Sequence, residues 1–228
     1  MVRITLDKPY IPIPVPVTAI KYGLLYNWYA ATDVRNIAAA GWIVPTKTNF
    51  ETLQTYLGGQ TVSGSPLKEV GLTYWDSDND DATNSAKFNG RGSFRRENTG
   101  SFAAATFPAG QAYYFTQTPN GAAGAISFVL SSSNTQFSLS FRGKKDGQAI
   151  RLLKTTTTLS DGQTGTYTGN DGKVYRTICI GTQEWLADNL CETKYRNGDT
   201  IPEVTDNSAW AALTTGALCA YNNDWDNV

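Results

Sequence analysis

Helical periodicity is confined to two short stretches of this chain, so its body has to be built from strands and ordered loops. Phe50, Leu53, Tyr56 and Leu57 share one face of a helix predicted over residues 49–57, capped by Thr46 or Thr48 and stopped by Gly58 and Gly59. A shorter helix is predicted over residues 208–213, capped by Asp206 or Asn207. Residues 125–130 and 136–142 predict two strands joined by a polar turn, the second with Phe137, Leu139 and Phe141 on one face. Further extended pieces are predicted over residues 22–30, 41–45, 149–153, 173–180 and 183–186. Residues 60–125, punctuated by Gly, Asn and Asp, predict a long loop-rich stretch. A chain of 228 residues buries about 70% of its unfolded surface, enough for a core without metal or disulfide staples.

Composition then removes whole classes of function. Nineteen Lys and Arg face 20 Asp and Glu, a net charge of −1, which argues against nucleic acid or an anionic membrane as a partner held by bulk charge. The chain contains no histidine, so the usual general base, the usual zinc ligand and every Ser-His-Asp or Cys-His arrangement are excluded. No phosphate-binding glycine loop and no Cys pair at metal-binding spacing occurs. The N-terminus lacks a secretory apolar region, and no run of 18 apolar residues predicts a membrane span. Cys179, Cys191 and Cys219 are odd in number, so at least one thiol stays free or pairs between chains; buried small hydrophobes are the simplest reading, and spacing does not decide a Cys191–Cys219 bridge.

Residues 1–20 stand apart. Pro12, Pro14 and Pro16 alternate with Ile11, Ile13, Val15 and Val17, which forbids a helix and favours extended chain. The stretch is either a stiff linker or an assembly arm laid on a neighbouring subunit, its apolar side chains favouring the arm. Residues 155–165, rich in Thr and Gly, are the best candidate boundary in the remaining chain, dividing a block at 21–154 from one at 166–228.

The motifs of both blocks carry a resemblance. The runs Asp171 to Tyr175, Ile180 to Leu190, Tyr195 to Pro202, Ala209-Trp210, Leu213 to Ala217 and Tyr221 to Asp224 resemble the first half of the Fibrobacter succinogenes major paralogous domain. The runs Tyr22 to Ala30, Gly41 to Thr46, Phe50 to Gly59 and Ala149 to Leu153 resemble its second half. Here the second half precedes the first. Joining the C-terminus to Tyr22 would restore the family's order, so the domain is expected to be circularly permuted, completed by a swapped neighbour, or split into two separate units. The resemblance implies an α+β, C-type lectin-like fold: a small twisted antiparallel sheet, one or two short helices and long ordered loops. It places Trp28, Trp42, Trp185 and Trp210 in the core. The cysteine-dependent activity of formylglycine-generating relatives is not carried over.

Site candidates are few. Asp76, Asp78 and Asp80 alternate like calcium ligands, but the EF-hand glycine and glutamate positions hold Asp81 and Lys87; a solvated acidic turn competes with a calcium site of another kind. Arg91, Arg95 and Arg96 are expected on a solvated face, and Lys144 to Gly147 in a turn. Tyr113, Tyr114 and Phe115 crowd one run, so at least one ring is expected to face outward. Trp75, Tyr113 and Tyr114 then serve as stacking platforms, with Asn120, Asn134 and Gln136 supplying adaptable hydrogen bonds from the polar segment 116–136. The expected function is a non-enzymatic structural or adhesion protein of a bacteriophage virion, homo-oligomeric with a trimer favoured, partnered by other virion proteins and a host surface glycan or protein. The alternative is a bacterial cell-surface or secreted binding module.

Overall fold

Thr46 starts the longest helix because two backbone donors are satisfied reciprocally at its first turn. The Thr46 hydroxyl accepts from the Asn49 N–H at 3.2 Å, and Asn49 Oδ1 accepts from the Thr46 N–H at 2.8 Å. Gly58 and Gly59 end it with φ of 97° and 98°, values that Gly reaches without steric cost. The computed structural model describes residues 18, 20–76, 78–103 and 108–228. In chain order the elements are β1 (Leu25–Tyr26), α1 (Trp28–Ala31), β2 (Trp42–Ile43), α2 (Lys47–Tyr56), β3 (Gln111–Asn120), β4 (Gly124–Ser131), β5 (Phe137–Gly143), β6 (Leu153–Lys154), β7 (Thr164–Thr168), β8 (Val174–Ile180), β9 (Gln183–Leu186), α3 (Asn207–Ala212) and β10 (Leu218–Cys219).

Three antiparallel sheets result, ordered β2-β6-β9-β8-β7, β3-β4-β5 and β1-β10. Two of them are stitched from both ends of the chain. Leu153 pairs with Trp185, and Leu25 with Cys219. The two larger core clusters are shared in the same way: Leu24, Ile150 and Leu152 pack with Tyr175, Leu186 and Leu190, while Phe50, Phe128 and Phe137 pack with Ile178 and Trp185. Phe50 stacks on Trp185 with ring centroids 4.9 Å apart. The molecule is a sheet-rich α+β fold with short helices.

Several local expectations need correction. The strand expected over residues 22–30 is cut to two residues because Asn27 turns the chain. Its buried Oδ1 accepts from Ala30 N–H, capping α1, and from Ala217 N–H. Residues 111–120 form a long strand inside the stretch read as loop. Tyr113, Tyr114 and Phe115 are all buried, contrary to the expected outward ring, because β3 is covered on both faces and on its second edge by Ala149. Trp75 is buried as well, its indole N–H bonded to Gly90 O at 2.8 Å. Trp28, assigned to the core, is half-buried, whereas Trp42, Trp185 and Trp210 are core residues. Arg91 and Arg96 are buried rather than solvated. Arg96 donates to Gly100 O, Val204 O, Thr205 O and Asn207 Oδ1, and Arg91 to the Glu69 carboxylate and to Ile20 O and Lys21 O; backbone carbonyls supply most of the acceptors of these guanidinium forks. Residues 155–165 run onto the large sheet, with Thr157 bonded to Glu184 and Gly181 N–H to Asp161. All three cysteines are free and buried. The arm positions Ile11, Ile13, Val15 and Val17 lie outside the described residues.

Candidate functional site

The β3–β4 and β5–β6 connections and the start of α1 meet at one end of the three-stranded sheet and leave a groove there. The turn after Asn120 is tight enough to need glycine: Gly121 has φ 71°, and a Cβ on Gly124 would lie 2.6 Å from Asn120 O. The segment after β5 folds back over this turn, with Lys144 N–H bonded to Ala123 O at 2.8 Å and Trp28 N–H to Lys144 O at 2.9 Å. Two depressions of about 440 and 420 Å³ merge along Asn98, Ala123 and Gly143. Tyr29 and Lys145 line one end, Asn120 and Phe141 the other.

The groove is chemically mixed. Phe141 is 60% exposed. Lys144 Nζ lies 4.4 Å from the Trp28 ring centroid, and Lys145 Nζ donates to Ala211 O at 2.6 Å. Arg142 donates to the Tyr113 hydroxyl at 2.9 Å, and both Arg142 and Arg95 sit over the Tyr113 ring, 4.7 and 4.8 Å from its centroid. Tyr113 therefore braces the site from beneath. Arg95 pairs with Glu97 at 2.6 Å. Asp146 is 4% exposed. Burial first, and the Glu97 carboxylate second, push its carboxyl up to about 6 against the opposing pull of Arg95 and Arg142. The site thus offers an exposed ring, two side-chain amides and a carboxyl that titrates just below neutrality.

Of the residues expected to bind, only Asn120 lines this groove. Asn134 and Gln136 are exposed in the β4–β5 connection at the opposite end of the sheet, where Gln136 N–H bonds Asn134 Oδ1. Trp75, Tyr113 and Tyr114 are interior and offer no stacking face. Asp76, Asp78 and Asp80 are exposed, and among the described residues no three Cys, Asp or Glu side chains gather as a metal site. Asn98, Phe141 and Asp146 were missed. Phe141 had a signal: it ends an alternating strand whose first member, Phe137, is in the core, so the apolar face outruns the core. Asn98 and Asp146 are brought in by contacts distant in sequence and had none. A further depression of about 430 Å³ between α2 and the β8–β9 turn also holds an exposed ring, Tyr56, but its carboxylate, Glu51, is paired with Lys47 and its one side-chain amide, Gln183, donates to Asn49 O.

Compared with known proteins, no curated protein and no solved structure matches the chain. The model of the Fibrobacter succinogenes major domain matches residues 6–154, which hold α2, the whole three-stranded sheet and the groove's Asn98, Asn120, Phe141 and Asp146. The chain belongs to the Fibrobacter succinogenes major domain family.

Proposed function

We propose that this protein binds a glycan without transforming it, on a C-type lectin-like body whose two halves stand in permuted order. The observation that carries the reading is the groove's composition: a 60%-exposed Phe141 ring beside the amides of Asn98 and Asn120 and the carboxyl of Asp146. Sugars present apolar C–H faces and a fringe of hydroxyls, so a ring for stacking and a few convergent polar groups suit them. The permuted order is supported by the chain ends. Tyr22 N–H bonds Asn227 O at 3.2 Å, and the β6–β9 and β1–β10 pairs close within one copy. The setting proposed is a bacteriophage virion, as a capsid or tail component that adheres to host surfaces; the low share of charged residues, 17%, agrees with a structural surface protein.

The test is a glycan array with the intact chain, Phe141→Ala and Asn120→Ala. Phe141 lies outside the core, so its loss should leave the fold intact and lower binding about tenfold or more. Equal binding by both variants, or no binding by the intact chain, refutes the reading. Release of sugar would replace it with hydrolysis. Mass spectrometry of purified virions separates the virion setting from a bacterial cell-surface module.

A further inference from the structure

β7 closes one side of the five-stranded sheet, and among the described residues no strand pairs with its outer edge. The register Gly165↔Thr177 and Tyr167↔Tyr175, continued by Cys179 N–H to Gln163 O at 2.9 Å and Gly169 N–H to Lys173 O at 2.8 Å, turns the polar groups of Gly165 and Tyr167 toward β8. Those of Thr164, Thr166 and Thr168 therefore point away from the sheet, and among the described residues no backbone hydrogen bond reaches them. The three threonines are exposed, and the strand carries no charge and no proline, the usual means of blunting an edge.

The chain contains a segment whose chemistry fits that edge. Successive residues of an extended strand present their polar groups to opposite sides. An extended strand of the sequence of residues 11–17 would put the donors of Ile11, Ile13, Val15 and Val17 on one side, and Pro12, Pro14 and Pro16, which lack an N–H, on the other. Such a strand can add to an edge but cannot itself be extended. These residues lie outside the described ones, but their point of attachment does not. Thr18 N–H bonds Val174 O at 2.7 Å, and Val174 N–H bonds Thr18 Oγ1 at 3.3 Å. By the alternation above, both groups of Val174 face away from β7. The free edge of the same copy is therefore three strand spacings from Thr18, about 14 Å. Crossing that distance takes about four extended residues, so residues 11–17 cannot lie as a whole along their own β7.

We propose that residues 11–17 of one copy add as a one-sided strand to β7 of a second copy, joining copies of this chain through Thr164, Thr166 and Thr168. The inference stands apart from the glycan reading, since it uses neither the groove nor its ligand.

Sedimentation equilibrium and amide hydrogen exchange on the intact chain test it. The intact chain is expected above its monomer mass of 24.8 kDa, with the amides of Thr164, Thr166 and Thr168 slowed about tenfold or more relative to Val15→Asp. Thr166→Pro removes an outward donor that the β8 ladder does not use, and should return the chain to monomer. Val15→Asp changes no residue of the described sheets and should do the same. A monomeric intact chain overturns the proposal, as does an assembly that survives Val15→Asp. Protected edge amides in a monomer would put the arm on its own sheet and overturn it equally.

Discussion

Asp146 is a carboxyl held in the wrong charge state for its surroundings. Its folded value of about 6 exceeds its ordinary value of 3.8, so between those pH values the folded chain binds a proton that the unfolded chain has released. Stability from this group is therefore fully present below about pH 4 and declines as pH rises through 6. The shift amounts to at most about 3 kcal/mol at neutral pH. Glu192 moves with the same sign: burial, and the neighbouring Asp171 carboxylate, push its carboxyl up to about 7. A pH scan of the wild type alone would mix the two. The difference between wild type and Asp146→Asn separates them. Thermal melts should show the variant gaining stability relative to wild type from pH 4 to 7, with the gap levelling above pH 7. A constant gap would mean that Asp146 is ionised throughout. Because the same carboxyl lines the groove, ligand affinity should change over the same pH window.

At the scale of elements, α2 rests on a device that one residue can remove. Thr46→Ala deletes the hydroxyl that accepts from Asn49 N–H and should cost about 1 kcal/mol, read as a lower urea midpoint at unchanged slope. Retained stability would mean that packing of Phe50 and Leu53 alone holds the helix. The sequence narrowed the cap to Thr46 or Thr48, and α3, β4, β5, β8 and β9 were legible, because each is specified by signals within a dozen residues. β3 was not. Its run Ala112 to Phe115 lacks alternation because both faces are buried, and a two-residue period appears only where one face meets water. β1, β2 and β6 fall in or at the end of pieces expected to be extended, but partners elsewhere in the chain set their two-residue bounds, and β10, pinned in the same way, had no local pattern to mark it. The guanidinium anchors Arg91 and Arg96 escaped for a related reason: most of their acceptors are backbone carbonyls, which no sequence displays.

For the whole molecule, connectivity and packing disagree in a way that can be cut and rejoined. Arg151, fully buried, donates to Phe88 O and Asn89 O on one side and to Leu186 O and Asn189 Oδ1 on the other. Burial draws its pKa down to about 10, which still leaves it charged at neutral pH, and those four acceptors compensate a charge that among the described residues has no bonded carboxylate. The block before residue 154 and the block after 166 therefore share one interior, whatever their order along the chain. Meanwhile Lys21 Nζ reaches Asp226 O at 3.2 Å, so the two ends of the described body are neighbours. Chain ends that meet at the surface tolerate being joined. A variant with Val228 linked to Ile20 by a short Gly-Ser segment, and opened at the exposed Thr156, keeps every sheet pairing described above. It should fold cooperatively, with the near-ultraviolet spectrum of the native chain and a single unfolding transition. Opening the same chain at Ser127, inside the buried middle of β4, should abolish folding. If the first variant melts in two separate steps, the blocks are independent units that only touch, and the shared interior around Arg151 is not what makes them one body.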